Sequence, residues 1–227
     1  NTLKKESLSI GKSAYQLLYF GQFKDSLNLA KLAISLNDKD EKLWLILAEA
    51  QIANQLNKKA IKSLEAGKKI NPKMSEIYFA ESSIYLSQKQ YNKAKKAIKE
   101  GLTIQPQNPN AVFQLGNIYL IEKKYNKALQ TFDEAIELRK DFWQAINNKG
   151  LAYYELEKIE LAIQSFKLAI NLEENAEPLL GLAVSILNKD KNKAIQFTKK
   201  ALLQNPKYVS NSYREEQLWG VKIQKST

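Results

Sequence analysis

Residues 109–142 read PNAVFQLGNIYLIEKKYNKALQTFDEAIELRKDF. Apolar residues recur at helical spacing in two stretches of roughly a dozen residues each, which predicts a pair of helices. The polar turn Ile121-Glu122-Lys123-Lys124 separates them. Stepping outward by 34 residues finds the same pattern again. A small residue recurs at Ser26, Ala60, Ala94, Ala128 and Ala162, and a second at Ala33, Gly67, Gly101, Ala135 and Ala169. Further turns fall at Tyr19-Phe20-Gly21-Gln22 and Ser87-Gln88-Lys89-Gln90, and Pro72, Pro106 and Pro206 stand where a second helix must end. A fixed period of this length marks stacked supersecondary units, each too small to bury its apolar face alone. Helices this short are marginal in isolation, so stability has to come from stacking.

Aligning on the small residues gives units at 7–40, 41–74, 75–108, 109–142, 143–176 and a shorter one at 177–208. Residues 1–208 thus read as one elongated repeat domain and 209–227 as a capping helix with a frayed tail. The cap is expected over 208–220, with Ser210 or Ser212 as N-cap, Glu215-Glu216 early and Gly220 ending it.

The chain has neither cysteine nor histidine. That removes disulfides, thiolate zinc sites, thiol nucleophiles and histidine bases together. No glycine loop that would cradle phosphate and no acidic loop spaced for calcium is present, so the reading is non-enzymatic, without metal or cofactor, and a small-molecule substrate is not expected. No apolar run reaches the ~18 residues of a membrane helix. The chain opens at Asn1 rather than Met, which is compatible with an upstream signal or anchor having been removed.

Net charge is +11, yet only Arg139 and Arg214 of the 35 basic residues are arginine. Arginine supplies most bidentate phosphate and base contacts, so the charge argues less for nucleic acid than its size suggests. It is also unevenly spread. Residues 58–100 hold eleven lysines against Glu65, Glu76, Glu81 and Glu100, whereas residues 130–177 hold ten acids against five bases. Lys58, Lys59, Lys62, Lys93, Lys95, Lys96 and Lys99 fall on second helices. They form either a solvated face or a surface for an acidic partner or anionic membrane.

The chain resembles the tetratricopeptide repeat family. The fourth unit carries the resemblance best, with Val112, Leu115, Gly116, Tyr119, Ala128, Phe132 and Ala135, and the fifth repeats it with Ile146, Gly150, Tyr153, Ala162, Phe166 and Ala169. The second opens on Trp44, Leu47 and Ala48, and the third carries Tyr78, Tyr85, Ala94, Gly101 and Pro106; the first and sixth match more weakly. The resemblance implies an all-α fold, a right-handed α-solenoid of six helix-turn-helix hairpins plus the C-terminal cap. It implies that first helices line a groove through the fifth, ninth and twelfth positions of each unit. On this chain those positions give one apolar row, Leu45, Phe79 and Phe113, and another, Ile52, Leu86, Leu120 and Tyr154. Glu49, Asn117, Asn147 and Leu151 lie at the remaining inward positions, with Asn148 beside them. Asn117 and Asn148 match the asparagines of family members that clamp a terminal carboxylate. Phe113, Pro178 and Leu182 replace the cations such a clamp needs, so chaperone-tail binding is rejected.

The function expected is a scaffold or adaptor binding an apolar or amphipathic peptide in the groove. A narrower version, suggested by likeness to members that act at photosynthetic membranes, is an assembly factor for a membrane complex. The alternative class is a nucleic-acid-binding helical repeat using the basic surface. Because the small residues set how closely helices approach, Ala128→Leu or Ala162→Leu should overpack the hairpin and cost about 1–3 kcal/mol, read as a lowered melting temperature.

Overall fold

The computed structural model describes residues 2–226. Among them lie fourteen α-helices and no strand, grouped into two compact units, Asn1–Pro106 and Gln107–Thr227. The first unit holds α1 (Thr2–Tyr19), α2 (Phe23–Leu36), α3 (Glu41–Ala53), α4 (Asn57–Ile70), α5 (Ser75–Ser87) and α6 (Tyr91–Ile104). Each odd helix packs antiparallel on the even helix that follows, and α1, α3 and α5 also pack side by side. The second unit repeats this with α7 (Pro109–Ile121), α8 (Tyr125–Leu138), α9 (Trp143–Glu155), α10 (Ile159–Leu172), α11 (Ala176–Ile186) and α12 (Lys191–Gln204).

The periodic small residues are the crossing points. Ala60, Ala94, Ala128 and Ala162 are wholly excluded from solvent, as are Ala33, Ala135 and Ala169. Ser26 holds the same place in the first hairpin because its hydroxyl donates to the Ala14 carbonyl at 2.8 Å, so the buried oxygen is satisfied. Large residues fill the space left beside them. The Phe166 ring lies between Gly150 and Gly181, where a methyl group on either glycine would stand 2.6 Å from its Cε1.

Helix ends follow from local chemistry. The Asp40 carboxylate accepts from the Lys42 backbone N–H at the start of α3, and the Asn108 side chain accepts from the Ala111 N–H with Pro109 in the first turn of α7. Asn71, Gln105 and Asn205 each precede a proline and leave the helical region, which stops α4, α6 and α12.

The turns within hairpins have a period of their own. Gly21, Gln55, Lys89, Lys123 and Glu157 all have φ between 57° and 75°, each 34 residues after the last. In each case the next residue's N–H reaches back six residues inclusive, as from Lys124 to the Tyr119 carbonyl at 2.8 Å and from Gln22 to the Leu17 carbonyl at 2.9 Å. This is a Schellman closure, in which glycine carries no steric penalty and other residues do. Only the first hairpin uses glycine there.

The C-terminal segment differs from the single cap expected over 208–220. A 3-10 turn at Pro206–Val209 leads into α13 (Asn211–Glu216), capped by Ser210, and a further Schellman-type turn at Leu218, φ 65°, ends it. Gly220 does not close that helix but precedes another, α14 (Val221–Lys225). The break arises because the Arg214 guanidinium is buried against the Tyr208 and Val209 carbonyls, while the Trp219 N–H returns to the Arg214 carbonyl at 3.0 Å. The stretch expected to fray is helical over α14, with Ile223 fully buried; Thr227 lies outside the described residues.

Lys123 is exposed and holds a strained backbone conformation that glycine adopts freely. Lys123→Gly should therefore stabilise the chain by about 0.5–1 kcal/mol despite glycine's greater unfolded entropy, measured as a raised denaturation midpoint.

Candidate functional site

In the first unit the odd helices frame a hollow of about 570 Å³. Helix α1 contributes Tyr15, Leu18 and Tyr19, α3 contributes Glu49, Ile52 and Ala53, and α5 contributes Glu76, Phe79, Ala80 and Ser83. Tyr15 is 53% exposed and Tyr19 81% exposed, so two aromatic rings stand open to solvent at its edge. Ile52 and Leu45 are half-buried and pack on the cluster of Ala48, Ala60, Leu64, Ile77 and Ile84 beneath. Phe79 is half-buried, leaning over Gly101 of α6, where a methyl group would meet its ring at 2.4 Å. Leu86 is half-buried but does not line the hollow. Glu49 is half-buried, and burial pushes its carboxyl above the ordinary carboxylate range.

The corresponding positions of the second unit are largely closed. Leu120, Asn147, Asn148, Leu151 and Tyr154 are all buried, so the second apolar row does not run on there as an open surface. Phe113 is half-buried, its ring 4.8 Å from that of Phe142 and 5.9 Å from that of Phe132. The asparagines bond one another: Asn148 Nδ2 donates to Asn117 Oδ1 at 2.8 Å, and Asn147 Nδ2 to Asn148 Oδ1 at 3.1 Å. Part of their capacity for a peptide backbone is thus already used.

The chain's own C-terminal segment lies on this face, with α14 packed on α9. The buried Glu155 carboxylate at the end of α9 accepts from the Lys222 and Ile223 backbone N–H groups at 2.9 and 3.0 Å. Approach is so close that a methyl group at Gly220 would lie 2.3 Å from the Glu155 Cδ. The Lys222 ammonium reaches the Glu157 carboxylate at 2.7 Å. Trp219 is buried beside Tyr208, with ring centroids 6.2 Å apart.

Beneath that segment Glu177, at the start of α11, has its carboxyl pushed up to about 7. Desolvation is the cause, opposed by the side chains of Asn147, Trp219 and Tyr208, which favour the ionised form. Those neighbours compensate it incompletely, because the buried Trp219 Nε1 closes no hydrogen bond of full geometry and the Asn147 amide also donates to Asn148 Oδ1. The Tyr208 hydroxyl is driven upward in turn, by burial first and by Glu177 second. Among the described residues no group of three His, Cys, Asp or Glu is placed to hold a metal. Among them, too, no helix is long and apolar enough to cross a membrane.

A tetratricopeptide repeat model matches residues 75–108 and 144–175, and a second model, described as TPR repeat, matches 116–157. The chain contains tetratricopeptide repeats. No curated protein shows significant sequence similarity to it. Solved structures resemble it in fold. The pilF protein of Pseudomonas aeruginosa superimposes with a TM-score of 0.81 at 17% identity, covering 96% of this chain and 99% of that one. YrrB, a TPR protein with an unusual peptide-binding site, gives 0.64 at 17% identity over 82% of this chain and 97% of its own. MamA gives 0.64 at 21% identity over 71% and 94%.

Tyr19, Glu76, Ala53 and Ala80 line the hollow, although the groove positions carried over from the family did not include them. Tyr19 and Ala53 each follow a twelfth position, and Ala80 follows a fifth, so the hollow is wider than three positions per helix describe. Glu155 and Glu177 matter through the C-terminal segment, and nothing in the repeat register marks them.

The folded chain holds the Glu177 proton more tightly than the unfolded chain does, so stability is greatest below the ordinary carboxyl value and falls as pH rises towards about 7. Glu177→Gln should flatten that dependence and be more stable than the parent above this window, on the order of 1–3 kcal/mol, in thermal melts from about pH 5 to about pH 8.

Proposed function

We propose that this chain is a non-enzymatic protein-interaction scaffold that takes an apolar or amphipathic peptide segment in the hollow of its first unit. The observation that carries this reading is the pair of exposed rings, Tyr15 and Tyr19, facing a cavity floored by Ile52, Ala53, Phe79 and Ala80. Aromatic side chains offer large contact area at small entropic cost, and isolated from any partner they leave apolar surface in water. About 570 Å³ suits one or two anchoring side chains rather than a whole folded domain. The fold relative with an unusual peptide-binding site accords with this use. Of the positions expected to contact a partner, Glu49, Ile52 and Phe79 line this hollow and are the ones we retain, whereas Leu45 and Leu86 belong to the same unit outside it.

A second surface supports an adaptor role. Lys58, Lys59 and Lys62 of α4 and Lys93, Lys96 and Lys99 of α6 are exposed. Held away from the hollow on second helices, they suit an acidic protein or an anionic membrane surface, as an assembly factor working at a membrane complex would need.

Selection of displayed random short peptides against the full chain tests the reading. Peptides should be enriched whose affinity drops tenfold or more when Tyr15 and Tyr19 are both replaced by serine, with helicity by circular dichroism unchanged. Failure to enrich any peptide, or affinity indifferent to the double replacement, would discard the hollow as the binding site.

A further inference from the structure

We propose that the hollow selects a segment carrying a lysine or arginine side chain between apolar residues, with the cation paired to Glu49. This rests on the peptide-binding reading above and specifies what the peptide must contain.

Three observations carry it. First, Glu49 forms no hydrogen bond or ion pair among the described residues, although it sits half-buried in a wall of Leu18, Ile52, Phe79 and Ala80. A desolvated carboxylate without a partner is costly, and its carboxyl is accordingly raised by burial alone. Second, the hollow is anionic in a chain of net charge +11: Glu49 and Glu76 line it, and no lysine or arginine does. The ninth positions of the other repeats are Tyr15, Ser83, Asn117, Leu151 and Ser185, so only the second repeat places a charge there. Complementarity therefore asks for a cation from the occupant, and the open faces of Tyr15 and Tyr19 suit the methylenes and charge of such a side chain.

Third, the second unit shows what the same face of this fold holds when it is filled. The segment seated there, Trp219-Gly220-Val221-Lys222-Ile223, is apolar with one lysine, its backbone bonded to Glu155 and its ammonium paired to Glu157. Carboxylates on first helices and the turn beyond them thus already receive a lysine-bearing apolar segment in this molecule. Glu49 is a carboxylate of the same kind left unmatched.

The test uses the full chain and a peptide from the selection described above. Enriched peptides should share a basic residue flanked by apolar ones. A synthetic copy in which that residue is norleucine, or acetyl-lysine, should bind the parent chain at least tenfold more weakly by fluorescence anisotropy. Against Glu49→Gln the original and norleucine peptides should bind alike. The Glu49→Gln chain should melt no lower than the parent, since it loses only an unmatched charge.

Norleucine peptides that bind as well as the originals, with binding still lost in the Tyr15/Tyr19 double variant, would overturn the cation and leave the peptide-binding site standing. Absence of any peptide would remove both. A clear drop in melting temperature for Glu49→Gln would make the carboxylate structural and overturn the proposal.

Discussion

Everything in this fold depends on one steric condition, that a helix crossing admit little more than a methyl group. At the periodic alanines the facing helix leaves no accessible surface at all, and the 34-residue spacing reproduces that crossing hairpin after hairpin. Dispersion and burial then stabilise what the crossing permits, because helices that approach this closely bring their larger side chains into full contact. Phe132 and Phe166 are fully buried for this reason, the latter between two glycines that leave its ring room. The left-handed residue in the turns of the first five hairpins serves the same condition. It reverses the chain in three residues, so the second helix returns at the right height to present its small residue to the first.

Repetition made that part of the fold readable. A crossing point that must be small and a proline that must stop a helix each constrain residue type locally, and recurrence separates the constraint from accident. Ser26 shows where reading by type alone reaches its limit, since a serine is tolerated only because the Ala14 carbonyl is within reach of its hydroxyl. The turn strain at Gln55, Lys89, Lys123 and Glu157 was not legible, for the opposite reason: residues of these types carry no mark of a positive φ, and only the single Gly21 hints at it.

The candidate site was legible in its first half and obscured in its second by the same cause. Family register locates which side chains turn inward, and it does so equally for Ile52 and for Tyr154. Whether an inward side chain meets solvent depends on what else lies on that face, and the C-terminal segment obeys no repeat. Its composition, Tyr208, Tyr213, Leu218 and Trp219 around a serine cap, names no surface for it to pack on. That it would fold in two short helices and turn its backbone N–H groups to Glu155 follows from Arg214 and Gly220, whose roles appear only once Tyr208 and Glu155 are close to them.

The charges then fall into an order that the net value conceals. Lys58, Lys59 and Lys62 of α4 and Lys93, Lys96 and Lys99 of α6 stand exposed on outer helices, where water screens them and each contributes little to stability. Three carboxylates, Glu49, Glu155 and Glu177, lie on inner helices where burial makes each one expensive unless something answers it. Glu155 is answered by two backbone N–H groups, and Glu177 partly by Asn147, Tyr208 and Trp219. Both responses come from, or are completed by, the chain's last twenty residues. Glu49 has no such segment to draw upon within its own unit, and a cost that folding leaves unanswered is the free energy a binding partner can recover by supplying the missing cation.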